Sequence, residues 1–138
     1  MAEKKKRSVL IINDDSFLRE MYSQKFEEAG CSIQTLKSLN GDIVTQIADI
    51  GPEAITLDIV IAGRDGFQAL SLLKADERTK NIPVFVVSNQ SAKEDVQKSL
   101  ELGAIDHLIA ARFTPSALAQ TVVSYLENPS SYTRAKYS

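Results

Sequence analysis

Val9-Leu10-Ile11-Ile12-Asn13-Asp14-Asp15 is the stretch that decides the fold of this 138-residue chain. A continuous apolar run this short, with no polar residue at alternate positions, reads as a strand buried on both faces, as the central strands of parallel sheets are. It stops abruptly at an amide and two acids. In open α/β sheets ligands lie beyond the carboxyl ends of the strands, near the point where the strand order reverses. One stretch therefore states both a core strand and a candidate site at its end.

Moving outward, apolar runs alternate with helix-length amphipathic segments, the pattern of a parallel sheet covered on both faces. Five strands are expected, over Ser8–Asn13, Cys31–Leu36, Ala54–Asp58, Pro83–Ser88 and Ile105–Ile109. The second, Cys-Ser-Ile-Gln-Thr-Leu, alternates and is placed at an edge. Helix one is expected from about Phe17 to Ala29, with Leu18, Met21 and Tyr22 on one stripe and Gly30 to stop it. Helix two follows Asn40, and helix three spans about Phe67 to Ala75. Helix four opens at Ser91, with Glu94 three residues on as a capping box. Helix five takes Thr114 as its cap and Pro115 at its first position. The fold class is thus α/β, a (βα)5 doubly wound sheet in which Asn128-Pro129 ends the last helix. Residues 1–7 read as a basic leader, 8–127 as the single domain and 128–138 as a tail, so output is expected from this domain's own surface.

Composition supports an ordinary globular body, with 43% hydrophobic and 25% charged residues. The net charge of -2 hides an asymmetry: setting aside Lys4, Lys5, Lys6 and Arg7 leaves twelve basic residues against eighteen acidic ones. An acidic body argues against direct nucleic-acid binding, which needs a basic face. The four leading cations read as a solvated leader, with a nucleic-acid or membrane patch as the alternative. The apolar run after them is too short for a signal core or a membrane span, so a cytoplasmic protein without membrane contact is expected. A lone cysteine, Cys31, fits a reducing compartment and reads as a buried strand thiol.

The chemistry gathers where the strands end. Strand one ends in Asp14-Asp15, strand three in Asp58 and strand four in Ser88. If strands one and three are neighbours, three carboxylates converge, and their repulsion calls for a cation; oxygen ligands of this kind suit Mg²⁺ or Mn²⁺ with retained waters. Each residue also has a plainer reading. Asp15 before Ser16 caps helix one, and Asp58 merely closes a strand. Competing uses of such a scaffold lack their residues. Two carboxylates after strand one would repel a flavin phosphate, the position two after Asp58 is Val60 and not a second aspartate, and no Gly-x-Gly-x-x-Gly is present.

Together Val9-Leu-Ile-Ile-Asn-Asp-Asp15, Leu57-Asp58, Arg64-Asp65-Gly66-Phe67, Pro83-Val-Phe-Val-Val-Ser88 and Leu102-Gly103-Ala104 resemble the receiver domains of two-component response regulators, the CheY-like family. The resemblance covers about Arg7 to Glu127 and implies a flavodoxin-like strand order 2-1-3-4-5. It implies that Asp58 accepts a phosphoryl group from a histidine kinase or phosphotransfer protein. Asp14, Asp15, Asp58 and the Val60 carbonyl would hold Mg²⁺, and Ser88 with the next residue, Asn89, would sense the phosphoryl group. A downstream partner would read helix four, strand five and helix five.

Departures from the family are as definite as the likeness. Seven residues after Gly103 the family carries a lysine, usually followed by proline; here Ala110-Ala111 stands there. The switch position holds His107 in place of Tyr or Phe, Asn89 replaces a small residue, Ala62 replaces the usual proline, and one residue is inserted before Phe113. Arg64 and Arg112 are the nearby cations that would substitute for the lysine, and each also reads as a solvated surface arginine. His107 reads as a partly exposed strand residue packed beside helix four, or as a pH sensor or replacement switch. Two functions remain in view: a stand-alone phospho-accepting receiver, and a pseudo-receiver that binds its partner without phosphorylation. An enzyme proper is not expected, because no general base or cysteine nucleophile stands in a recognisable site.

Overall fold

The computed structural model describes residues 6–61 and 64–134, without the side chain of Arg64. Lys4, Lys5 and Ala62 lie outside the described residues. Strands β1 (Arg7–Ile12), β2 (Cys31–Leu36), β3 (Ala54–Leu57), β6 (Val84–Ser88) and β7 (Asp106–Ile109) form one sheet; β4 (Val60–Ile61) and β5 (Arg64–Asp65) form a short antiparallel pair. The five-stranded order is β2-β1-β3-β6-β7, with every neighbouring pair parallel. This is the doubly wound order expected, with β6 and β7 as the fourth and fifth strands of the reading and β2 at an edge.

Alternation of side chains along the strands splits the core in two. Leu10, Ile12, Ile55, Leu57, Val84 and Val86 face α2 (Ile43–Ile50) and α3 (Gly66–Ala75). Val9, Ile11, Phe85, Val87 and Leu108 face α1 (Ser16–Glu28) and α5 (Pro115–Glu127). Cys31 is buried in the second cluster, as expected. The remaining helix, α4 (Lys93–Glu101), lies beside β7 and α3.

Helix starts follow local chemistry with one exception. Thr114 Oγ1 accepts from Ala117 N, and Pro115 occupies the first turn, as the sequence indicated. At α4 the expected Ser91–Glu94 box does not form. The helix begins at Lys93 behind Ala92, without a side-chain cap, and Glu94 and Asp95 instead meet the N-terminal dipole from its first turn.

Packed structure also runs beyond the boundary expected at residue 127. A 3₁₀ turn over Pro129–Ser131 brings Tyr132 back against Phe85 and Tyr125, edge to face at 5.9 and 5.6 Å. Its hydroxyl donates to Asp106 Oδ2 at 2.7 Å, while Asp106 Oδ1 accepts from His107 N. Asp106 is fully buried, and a hydrogen bond to a buried carboxylate is worth more than an exposed one. Tyr132→Phe is therefore expected to lower the free energy of unfolding by about 1–2 kcal/mol in urea titrations, with secondary structure unchanged.

Candidate functional site

Parallel pairing sets the site. Ile12 is level with Leu57, and Leu57 with Val86, so the residues that follow β1, β3 and β6 emerge at the same end of the sheet. Asp58 N–H still donates to the Ile12 carbonyl at 3.1 Å, continuing the ladder one residue past β3. Its carboxylate is half-buried, and Oδ1 accepts from Val60 N at 3.0 Å. Burial, assisted by the charge of Asp14, pushes Asp58 from the ordinary 3.8 up to about 6, although the backbone N–H groups of Val60 and Ile59 pull the other way. The Tyr22 hydroxyl is held above the usual phenol range by burial first, then by the charges of Asp58 and Asp15.

The three-carboxylate cluster expected from the sequence is reduced. Asp15 is the N-cap of α1, its Oδ1 accepting from Leu18 N at 3.1 Å, so the plainer reading of that residue holds. Among the described residues no three acidic, histidine or cysteine side chains come together as a metal-holding group. The acid whose charge reaches Asp58 is Asp14. Asn13, which the sequence reading passed over, is buried at the end of β1; its Oδ1 accepts from Asp15 N at 2.9 Å and its carbonyl accepts from Arg19 Nη1 at 2.8 Å. Only its place directly before the two acids marked it.

Oxygen chemistry at this end still suits a hard divalent cation. The carboxylates of Asp14 and Asp58 are the acidic donors at this end, and Mg²⁺ ordinarily takes one or two carboxylates and keeps several waters. An acid whose ionisation is opposed by burial and by a like charge is the feature a cation relieves.

Around the carboxylate, Asp65 and Gly66 shape the loop. Asp65 Oδ1 accepts from Phe67 N to cap α3, and Gly66 N donates to the Ile59 carbonyl at 2.9 Å. Beside them a groove of about 500 Å³ is lined by Ile59, Val60, Ile61, Asp65, Phe67, Gln90 and Asp95. Val60 and Phe17 are exposed apolar side chains next in sequence to the acids' neighbourhood, at 60% and 67%.

Ser88 is buried at the end of β6, and its Oγ accepts from Gln90 N at 3.1 Å, leaving the hydroxyl proton for another acceptor. Gln90 connects onward: its carbonyl accepts from His107 Nε2 at 2.8 Å, and His107 Nδ1 meets Ser99 Oγ of α4 at 2.8 Å. His107 thus packs beside α4 as read, but it is fully buried and not partly exposed, because this polar pair of partners accepts it inside. Burial holds its ring below the ordinary histidine range, against the raising effect of Gln90, Asp95 and Asp106. At the missing-lysine position Ala110 opens a 3₁₀ turn through Arg112, whose side chain is exposed. Asn89 Oδ1 accepts from Ala111 N at 3.0 Å across that end of the sheet. None of the ion pairs among the described residues includes Asp14 or Asp58.

Comparison with known proteins agrees with this arrangement. Residues 9–123 match the response regulator receiver domain. The chain is 32% identical over 117 residues to the phosphate regulon transcriptional regulatory protein PhoB of Klebsiella pneumoniae, which covers 84% of this chain and 50% of that protein. It is 33% identical over 109 residues to protein-glutamate methylesterase/protein-glutamine glutaminase 1 of Myxococcus xanthus, covering 78% of this chain and 31% of that one. The chain spans about half the length, or less, of these curated relatives. Among solved structures, a putative response regulator from Chloroflexus aurantiacus superposes with a TM-score of 0.79 at 27% identity, covering 90% of this chain and all 100% of that one. The CheX-CheY-BeF3-Mg complex from Borrelia burgdorferi shares the fold, with a TM-score of 0.76 at 24% identity over 87% of this chain and 89% of that one. With the family match running from β1 into α5 and a curated relative 32% identical over 84% of the chain, the chain belongs to the response regulator receiver domain family.

Proposed function

We propose that this chain is a receiver that takes a phosphoryl group on Asp58 from the phosphohistidine of a kinase or phosphotransfer protein, and signals through protein contacts. The observation that carries the proposal is Asp58 itself, a half-buried carboxylate at the end of a central strand, held by backbone N–H groups and reached by the charge of Asp14. One of its oxygens attacks phosphorus in line, the P–N bond to the donor histidine breaks, and the departing imidazole nitrogen takes a proton from solvent. Asp14, Asp58 and the Val60 carbonyl would hold Mg²⁺ or Mn²⁺, with Asp15 contributing charge from the helix cap, and such a cation would supply positive charge against that of carboxylate and phosphoryl group. The cytoplasm is the expected place of action, with neither nucleic acid nor membrane as a direct partner.

Signal output follows the hydrogen bonds. A dianionic phosphoryl group on Asp58 recruits the free proton of the Ser88 hydroxyl. Moving Ser88 disturbs its bond from Gln90 N–H, and the same Gln90 carries His107, which carries Ser99 of α4. The face made by α4, β7 and α5 is thereby the surface a downstream partner reads.

Incubation with a small-molecule phosphodonor and Mg²⁺ is expected to add the mass of one phosphoryl group, and Asp58→Asn is expected to abolish the addition. Absence of any mass change with several donors sinks the proposal. Partner binding that persists unchanged in Asp58→Ala favours the pseudo-receiver.

A further inference from the structure

Two departures from the family meet in space. Asn89 stands where a small residue is usual, and Ala111 where a proline is usual; they are 22 positions apart, yet Asn89 Oδ1 accepts from Ala111 N at 3.0 Å. The bond needs both changes, because proline has no N–H to donate and a small aliphatic residue has no acceptor to offer. Pairing of Ser88 with Ile109 puts the two loops side by side at the sheet end, so the bond ties the β6–α4 loop to the turn that begins at Ala110.

The bond also fixes which way the amide points. An N–H donor at Ala111 requires oxygen on that side of the carboxamide, which leaves the Asn89 Nδ2 donors directed elsewhere. Among the described residues Nδ2 has no protein partner, and Asn89 directly follows Ser88, the hydroxyl at the edge of the site. Resting on the phosphoacceptor reading above, we propose that Asn89 is a positioning residue for phosphoryl transfer. It anchors the β7–α5 turn through Oδ1 and presents Nδ2–H to a phosphoryl oxygen on Asp58. Neutral donors on a tethered loop take the place of the cation that Ala110 does not supply.

Three variants test this in the full chain with Mg²⁺ and a small phosphodonor, read by intact mass and by amide hydrogen exchange at Ala111. Asn89→Asp keeps the acceptor for Ala111 but replaces the donors by a negative oxygen. It should leave Ala111 protected while slowing phosphorylation more than about tenfold, since like charge opposes the incoming group. Asn89→Ala should lose both protection and, by about three- to tenfold, rate. Adding Ala110→Lys to Asn89→Ala should restore the rate and leave Ala111 unprotected, an outcome that a purely structural role for Asn89 does not produce. Phosphorylation of Asn89→Ala or Asn89→Asp at the wild-type rate overturns the assignment alone. A wild type that takes up no phosphoryl group overturns the phosphoacceptor reading and this assignment with it.

Discussion

Gly66→Ala is expected to lower the free energy of unfolding by about 2–3 kcal/mol and to slow phosphoryl uptake by more than about tenfold. A Cβ at this position stands 2.5 Å from Ile59 Cα, 2.6 Å from the Ile59 carbonyl oxygen and 2.8 Å from that of Asp58. All three are backbone atoms, so no side chain can rotate away. The chain must part where Gly66 N donates to the Ile59 carbonyl, and that carbonyl belongs to the loop that aims Asp58. Substitutions on exposed helix starts usually change stability by less than about 0.5 kcal/mol. Gly66 is buried at the start of α3, and the glycine is explained by close approach, because its backbone is not in the left-handed region. Urea unfolding and the Mg²⁺-dependent rate of phosphorylation check the two halves separately. Wild-type values in both would mean that the loop yields freely and that Asp58 needs no such support.

The sheet is more legible in the sequence than the site, for a physical reason. Val9–Ile12, Ala54–Leu57 and Val84–Ser88 are buried throughout, and burial on both faces leaves a mark in composition that needs no partner to interpret. The alternation of β2 likewise announced an edge. Helix α4 was harder: Ser-x-x-Glu fits a capping box in the frame beginning at Ser91, but the chain enters the helix two residues later. A local motif cannot tell how the preceding loop is tied, and here Gln90 is held through Ser88 and His107.

The site divided along the same line. Asp58 and Ser88 were legible because they close apolar strands, and Asp14 because it follows one. Asp15 was ambiguous, since an acid between a strand and a helix is equally a ligand and a helix cap, and its Oδ1 caps α1. The burial of His107 and the packing of Tyr132 depend on partners 8 to 26 residues away, and no periodicity reports such pairings. The Asn89–Ala111 bond is of the same kind. Both residues stood out as departures, but only the fold made them one feature.

Asp58→Asn is expected to make the metal-free protein more stable at neutral pH, even as it removes the phosphoacceptor. In the folded chain Asp58 titrates at about 6, against the ordinary 3.8, chiefly because burial opposes its charge. A group with a raised folded value favours folding while protonated, so that contribution is complete below about pH 4, declines as pH rises and is gone above about pH 6. Taken in full, that shift corresponds to about 3 kcal/mol; Asp58 keeps part of its surface in water, and screening reduces the expectation to about 1–2 kcal/mol. Asparagine retains an oxygen for the Val60 N–H and carries no charge to bury beside Asp14. In urea titrations with chelator, the variant should match wild type near pH 4 and exceed it by about 1–2 kcal/mol near pH 7.5. Mg²⁺ should narrow the gap by binding the ionised wild type more tightly than the variant. A gap that is constant across this pH range, or one that Mg²⁺ leaves unchanged, would place the strain somewhere other than the ionised Asp58. Were the gap to behave as expected, the cost of ionising Asp58 beside Asp14 would itself favour cation binding at the end of β3.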